Sequence, residues 1–174
     1  GIAAAIAHSI RAAHVGRVPA KMRIASGNAP ELARNRSGAL VDGRLLELTF
    51  RSLVGDELGS LAIFAAHPTI LGAQNHALSG DWPGAVMRSR PGTALFMQGA
   101  VGEQSVNGAA TGSPAAYAQA VVKRLDFLGA RGPELAEVAL ETASATVALP
   151  RPELGQSLKL GRLTDNAMAL WAPE

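Results

Sequence analysis

The sequence predicts an α/β fold: a mixed β-sheet flanked by helices. Three observations carry this. Runs with strict period-two alternation, and one run that is apolar almost throughout, read as half-buried and central strands. Segments with apolar residues three or four apart, at Gly1 to His14 and Ala115 to Leu128, read as helices. Two of the apolar runs stop at polar, glycine-bearing loops, and open α/β sheets keep ligand-handling groups in such loops, beyond the carboxyl ends of their strands.

The elements follow in order. Ile2, Ile6 and Ile10, four apart with alanines between, stack on one helical face that Val15-Gly16 closes. His8 and His14 sit on or beside that helix as solvated or core-edge residues. From Arg17 to Ile24, Val18, Ala20, Met22 and Ile24 alternate with Arg17, Pro19, Lys21 and Arg23. This predicts a strand with one buried face, and Pro19 places it at an edge or marks its beginning. Ser26 to Pro30 breaks the pattern, and Glu31 to Ser37 reads as a polar connection whose Arg34 and Arg36 can donate to an anion or a carbonyl. After the Asp42-Gly43 turn, Leu45 to Phe50 is a strand with Leu46, Leu48 and Phe50 on one face. A Gly55-Asp56 loop joins it to the apolar Ser60 to Ala66, giving a hairpin whose second strand is central.

That strand ends at His67-Pro68. Asp81 is a suitable N-cap for a short helix that opens with Pro83 and that Pro91-Gly92 ends. Thr93 to Met97 reads as a second buried strand, discharging into the loop Gln98 to Gly108. If these two strands are neighbours pointing the same way, both loops border one cleft. Ser113-Pro114 caps the helix at Ala115 to Leu128, with Ala118, Val121, Val122 and Leu125 inward. Pro133 to Leu149 mixes helical and extended signals until Pro150, and 158–163 with 167–171 read as a last hairpin.

With 174 residues the chain has room for one domain, expected over residues 1–174. It opens on Gly1 rather than Met and stops directly after Ala172-Pro173-Glu174, so it reads as an internal piece of a longer chain. Its 16 Lys and Arg against 14 Asp and Glu are scattered, with no basic stripe interleaved with aromatics, so a pI near 9.5 gives little support for a nucleic-acid partner. Cysteine is absent, which excludes disulfides, thiolate metal sites and a Cys nucleophile. Any metal must be held by His, carboxylate or phenol.

There is no Gly-x-Ser-x-Gly elbow, Ser-x-x-Lys, His-Glu-x-x-His or phosphate-loop lysine. What remains is His67 at a strand end and Ser79 at the mouth of a helix. Two readings stand: a catalytic pair, or a strand cap and a capped turn. On the first, free N–H groups at the helix start would stabilise negative charge at Ser79, and a base or metal would lower the cost of losing its proton.

Asn35-Arg36-Ser37, then Phe64-Ala-Ala-His67-Pro68-Thr69, then Asn75-His76-Ala77-Leu78-Ser79-Gly80-Asp81-Trp82-Pro83-Gly84, then Phe96 to Asn107, stand in an order that resembles the amino-terminal catalytic domain of the neutral/alkaline non-lysosomal ceramidases and their bacterial relatives. The resemblance implies a zinc-dependent amide hydrolase that splits an N-acyl sphingosine or a related N-acylated lipid. By position it implies Ser79 as nucleophile, His67 as a Zn2+ ligand, Arg36 as a polar contact, Asp81 orienting the loop, and Gly102 with Asn107 lining the cleft. Glu174 stands near the place of a carboxylate ligand, though directly after Pro173 where the family has Pro-x-Glu. The family's His-Thr-His-Ser histidine falls before Gly1 and its tyrosine ligand after Glu174; Tyr117, within a helix, reads as structural. The piece alone is therefore expected to be inactive. The resemblance also implies a secreted or periplasmic parent that contacts a membrane surface. The alternative is a non-catalytic binding or interaction domain that retains the fold without a complete zinc site.

Overall fold

The structure is a computed structural model and describes residues 1–107, 112–135, 137–139 and 141–148. It divides into two compact units, Gly1–Ala139 and Leu140–Glu174. In the second, the described residues 141–148 carry no regular secondary structure. Pro150, the expected hairpin at 158–171 and Glu174 lie outside the described residues.

In the first unit the order is α1 (Ile2–Val15), β1 (Ala20–Asn28), a 3-10 turn (Pro30–Leu32), β2 (Ala33–Asn35), β3 (Arg44–Ser52), β4 (Glu57–Phe64), α2 (Asp81–Ser89), β5 (Thr93–Gln98), β6 (Gln104–Val106), α3 (Pro114–Gly129) and β7 (Glu134–Leu135). Five strands form a sheet in the order β5-β4-β3-β1-β7, and β2 pairs with β6 in a small second sheet. The β3–β4 hairpin is antiparallel, as its turn chemistry predicts, and β5 runs parallel to β4 with Leu61 beside Leu95 and Phe64 beside Gln98. Both β4 and β5 therefore discharge at the same end of the sheet. The expected α/β class, a mixed sheet with flanking helices, is what the chain adopts.

α2 and α3 pack on each other and on one face of this sheet. The core lies between them, where Trp82 is fully buried with its ring edge-on to Phe64, Phe96 and Tyr117 at centroid distances of 6.2, 4.9 and 5.1 Å. α3 starts as predicted, with the Ser113 hydroxyl accepting the Ala116 N–H at 3.1 Å, and it buries Tyr117, Ala118, Val121 and Leu125. Tyr117 is structural: its hydroxyl donates to the Leu32 carbonyl at 2.5 Å, and burial pushes its pKa well above the usual phenol value.

Several expectations are corrected. α1 forms, but its isoleucine ridge is not buried, Ile2 being 82% exposed. β1 continues through Ser26-Gly27-Asn28 because β3 supplies partners as far as Arg44, and it is an interior strand with Pro19 just ahead of it. The polar connection at Glu31 to Ser37 holds the 3-10 turn and β2, with Leu32 and Ala33 buried. In β3 the deeply buried positions are Leu45 and Glu47; Leu46, Leu48 and Phe50 lie on the opposite face, half-buried with Leu61 and Ile63. β5 is an edge strand whose Leu95 and Met97 are exposed on that same open face. Among the described residues after α3, only Glu134–Leu135 is regular, and those between 137 and 148 form neither helix nor strand.

Candidate active site

Beyond Phe64 the β4 chain continues straight to His67, whose N–H donates to the Gln104 carbonyl at 3.2 Å and which bridges to Ser105 in parallel fashion. β6 is thus held between β2 on one side and this extension on the other. Two glutamines that sequence reasoning did not single out fix the crossing. Gln98 Nε2 donates to the carbonyls of Phe64 and Ala66 at 3.1 and 3.2 Å. Gln104 is buried; its Oε1 accepts the Asp42 N–H at 2.6 Å and its Nε2 donates to the Ala65 and Ala100 carbonyls at 3.4 Å. A glutamine at a strand end was the available signal, since main-chain groups leaving a sheet need new partners.

The loop from Pro68 to Gly80 returns to α2 through Asp81, and this residue organises the site. Asp81 has φ +47°, the left-handed region that Asp tolerates better than most residues. Its Oδ2 accepts the Leu71 N–H at 3.0 Å and its Oδ1 accepts the Trp82 N–H at 2.7 Å, which pins the loop to the helix start. Its own N–H donates to Ser79 Oγ at 3.0 Å. Gly80, not Asp81, occupies the N-cap position, and Asp81 caps the helix from its first turn.

This corrects the expected array of free donors at the helix mouth. The Trp82 N–H is satisfied by Asp81, Pro83 has none, and the Gly84 N–H bonds the Gly80 carbonyl at 2.9 Å. What the helix offers Ser79 is the Asp81 N–H, already aimed at the hydroxyl oxygen, where it would stabilise negative charge growing there.

Ser79 is exposed and lies on the shared wall of two hollows, of about 370 and 340 Å³. Pro68 and Asp81 border both; Thr69, Leu71 and Asn75 line the first, and Pro83, Met87, Phe96 and Gln98 the second. Gln98 brings the end of β5 to the hollow that the β4 loop forms, so the two parallel strands do deliver residues to one place. His67 is half-buried and lines neither hollow, although its successors Pro68 and Thr69 do.

Arg36, Gly102 and Asn107 gather elsewhere. Arg36 Nη2 and Nε donate to the Gly102 and Glu103 carbonyls at 2.6 and 3.2 Å, so the guanidinium latches that loop. Beside it Asn35 and Ser37 donate to Glu103 at 3.0 and 2.9 Å and, with the Arg36 charge, hold its carboxyl below the ordinary value. Asn107 is bound to the Glu31 and Leu32 carbonyls, both at 3.0 Å. Gly102 lines a separate hollow of about 560 Å³ with Leu40 and Asp42.

A catalytic zinc takes three protein ligands and leaves one position open. Among the described residues no three His, Cys, Asp or Glu side chains gather as a metal site, and both Asp81 oxygens already accept main-chain N–H groups. The described residues therefore do not make up such a site, and no chemical step is derived through zinc.

No protein-family model matches the sequence, and no curated protein matches it significantly. Solved structures do match in fold. The chain is similar to neutral ceramidase from Pseudomonas aeruginosa, with a TM-score of 0.56 and 21% identity, covering 72% of this chain and 24% of that one. It is also similar to a ceramidase complexed with C2, with a TM-score of 0.54 and 20% identity, covering 66% of this chain and 22% of that one. The chain thus spans about a quarter of the length of the proteins it matches, and what it shares with that part of them is a ceramidase-like α/β fold.

Proposed function

We propose that this chain is part of a ceramidase-like amide hydrolase acting on an N-acylated lipid or a related amide, with Ser79 as nucleophile. The observation that carries the reading is the Asp81 N–H directed at Ser79 Oγ at 3.0 Å, in an exposed hollow at the carboxyl end of a parallel strand pair. The Asp81 N–H steadies the charge on Ser79 Oγ as its proton is lost; Oγ then adds to the amide carbonyl carbon and the electron pair of the C=O bond moves onto the carbonyl oxygen. The C–N bond breaks, the amine departs with the serine proton, and the acyl group is left as an ester. Water then cleaves the ester, releasing the carboxylic acid and returning the proton to Ser79.

The resemblance assigns His67 to zinc; the remaining ligands of a complete site would come from outside the described residues, Glu174 among the candidates. A longer parent, secreted or periplasmic, would meet its lipid at a membrane surface. Among the described residues no helix is long and apolar enough to cross a membrane. The second reading, a binding domain that keeps the fold, is favoured by the lack of a three-ligand cluster among the described residues.

Amide hydrolysis by the parent protein tests both readings. Ser79→Ala should abolish amine release while zinc content stays unchanged, and full activity in that variant would remove serine from the reaction. His67→Ala should lower zinc per protein; unchanged stoichiometry would remove the ligand role.

A further inference from the structure

We propose that the open face of the five-stranded sheet is an interface with a second copy of this chain, each copy laying its α1 across the sheet of the other. The face lies on the side of the sheet away from α2 and α3, so the pairing does not rest on the hydrolase reading of Ser79.

Strand register arranges this face in rows. The middle row runs Ile24, Leu48, Leu61 and Leu95, one residue from each of β1, β3, β4 and β5, and Phe50 and Leu46 belong to the rows on either side. None of these rows holds a charged residue. Leu95 is 57% exposed, and its neighbours along the middle row are half-buried. A contiguous apolar patch on a sheet that contains a parallel pair marks a surface meant for cover, because such sheets bury both faces under a further layer.

α1 carries the matching surface. Ile2, Ile6 and Ile10 form one ridge with Ala3 and Ala13 beside it, while His8 and Arg11 fall on the opposite side of the helix. The three isoleucines are 82%, 55% and 64% exposed, and α1 buries no residue. Helical rise sets them about 6 Å apart, and same-face residues of a strand stand about 6.5 Å apart, so one ridge meets successive rows in step.

The connection to β1 directs the helix to a partner's sheet. The Arg17 guanidinium donates to His14 Nε2 at 3.2 Å and ties the linker to the helix end. Pro19 holds Val18 extended, so the chain runs on from α1 into β1 instead of doubling back over its own strands. Reciprocal exchange about a two-fold axis covers about eighteen side chains at roughly 60 Å² each, on the order of 1,000 Å² in total, which reaches the size of a specific interface.

The chain has no cysteine, so introduced thiols report this contact alone. The full 174-residue chain should sediment as a dimer in the micromolar range. Mixing Ile6→Cys chains with Leu48→Cys chains under mild oxidation should give a mixed disulfide with the mass of two chains. Ile6→Glu changes an exposed helix position and should leave the far-UV circular dichroism as it was. It should raise the dimer dissociation constant at least about a hundredfold, because each copy then places an unpaired carboxylate in an apolar contact. Leu95→Lys should weaken the dimer comparably from the sheet side. A monomer throughout the micromolar range, an unchanged dissociation constant in either variant, or a disulfide closed within a single chain that carries both cysteines overturns the proposal. The last result would mean that α1 covers its own sheet.

Discussion

Replacing Arg90 with methionine tests how the site's supporting helix is anchored. Arg90 closes α2 at the end opposite Ser79, about 13 Å away along a nine-residue helix at 1.5 Å per residue. Its Nε and Nη2 donate to the two oxygens of Glu47, both at 2.9 Å, and its Nη1 donates to Asp126 at 2.6 Å. The two legs differ in environment. The Glu47 and Arg90 side chains are 6% and 13% exposed, whereas that of Asp126 is 60% exposed. The Asp126 leg is a surface ion pair worth less than about 1 kcal/mol. The Glu47 leg is a buried pair, and removing one partner strands a carboxylate beneath α2, which costs about 3–5 kcal/mol.

The expected loss for Arg90→Met is thus about 4 kcal/mol, a large part of the 5–15 kcal/mol typical of a domain. Its pH dependence identifies the cause. Burial already pushes the Glu47 carboxyl above its ordinary value of 4.5, opposed by Arg90, and without the guanidinium it rises further. The folded state then holds a proton that the unfolded state releases, so stability falls as pH rises upward from 4.5. Urea denaturation followed by the fluorescence of the buried Trp82 should show a large loss at pH 8 and a smaller one at pH 5. The double variant Glu47→Leu with Arg90→Met should recover most of the stability, because an apolar pair leaves no charge uncompensated. A loss below about 1 kcal/mol, or one that ignores pH, would mean that the pair behaves as a solvated bridge and that the reasoning is wrong.

Two further outcomes bear on the loops. Asp81→Ala removes acceptors from two main-chain N–H groups and puts a poorly suited residue at φ +47°, so a loss of about 2–3 kcal/mol is expected, with Asp81→Asn retaining about half. Thermal melting of both variants checks this, and an alanine variant as stable as the parent would show that the loop is not pinned there. The Arg44 guanidinium, bonded to both Asp42 oxygens, lowers that carboxyl from 3.8 to about 2. The stability it contributes is complete above pH 3.8 and is lost as pH falls through about 2, because the unfolded chain takes up the proton first. Carbon-detected titration of Asp42 should give a midpoint near 2 that returns toward 3.8 in Arg44→Ala; an unmoved midpoint would contradict the pairing.

Much of the fold is legible in the chain because its signals are local. The period of α3, its Ser113 cap and the Gly55-Asp56 hairpin each depend on neighbours within a few residues, and each forms. So does the strand, loop and helix order that delivers Ser79 to the mouth of α2. β2 was hidden because a three-residue strand is defined by its partner, here Gln104–Val106, roughly seventy positions away. Asp81 shows the same limit. Its aspartate at a helix start is readable, but its grip on Leu71 and its left-handed backbone exist only once the loop has closed.

By itself, then, the sequence determined the longer strands and helices and that a serine follows a strand end. Tertiary structure alone decided which side of each strand faces inward. Alternation makes two faces of β3, and Leu46, Leu48 and Phe50 are the more apolar set, yet α2 and α3 cover Leu45 and Glu47. A charged residue can take the inner position because Arg90, brought from α2, supplies the counter-charge that no local pattern contains.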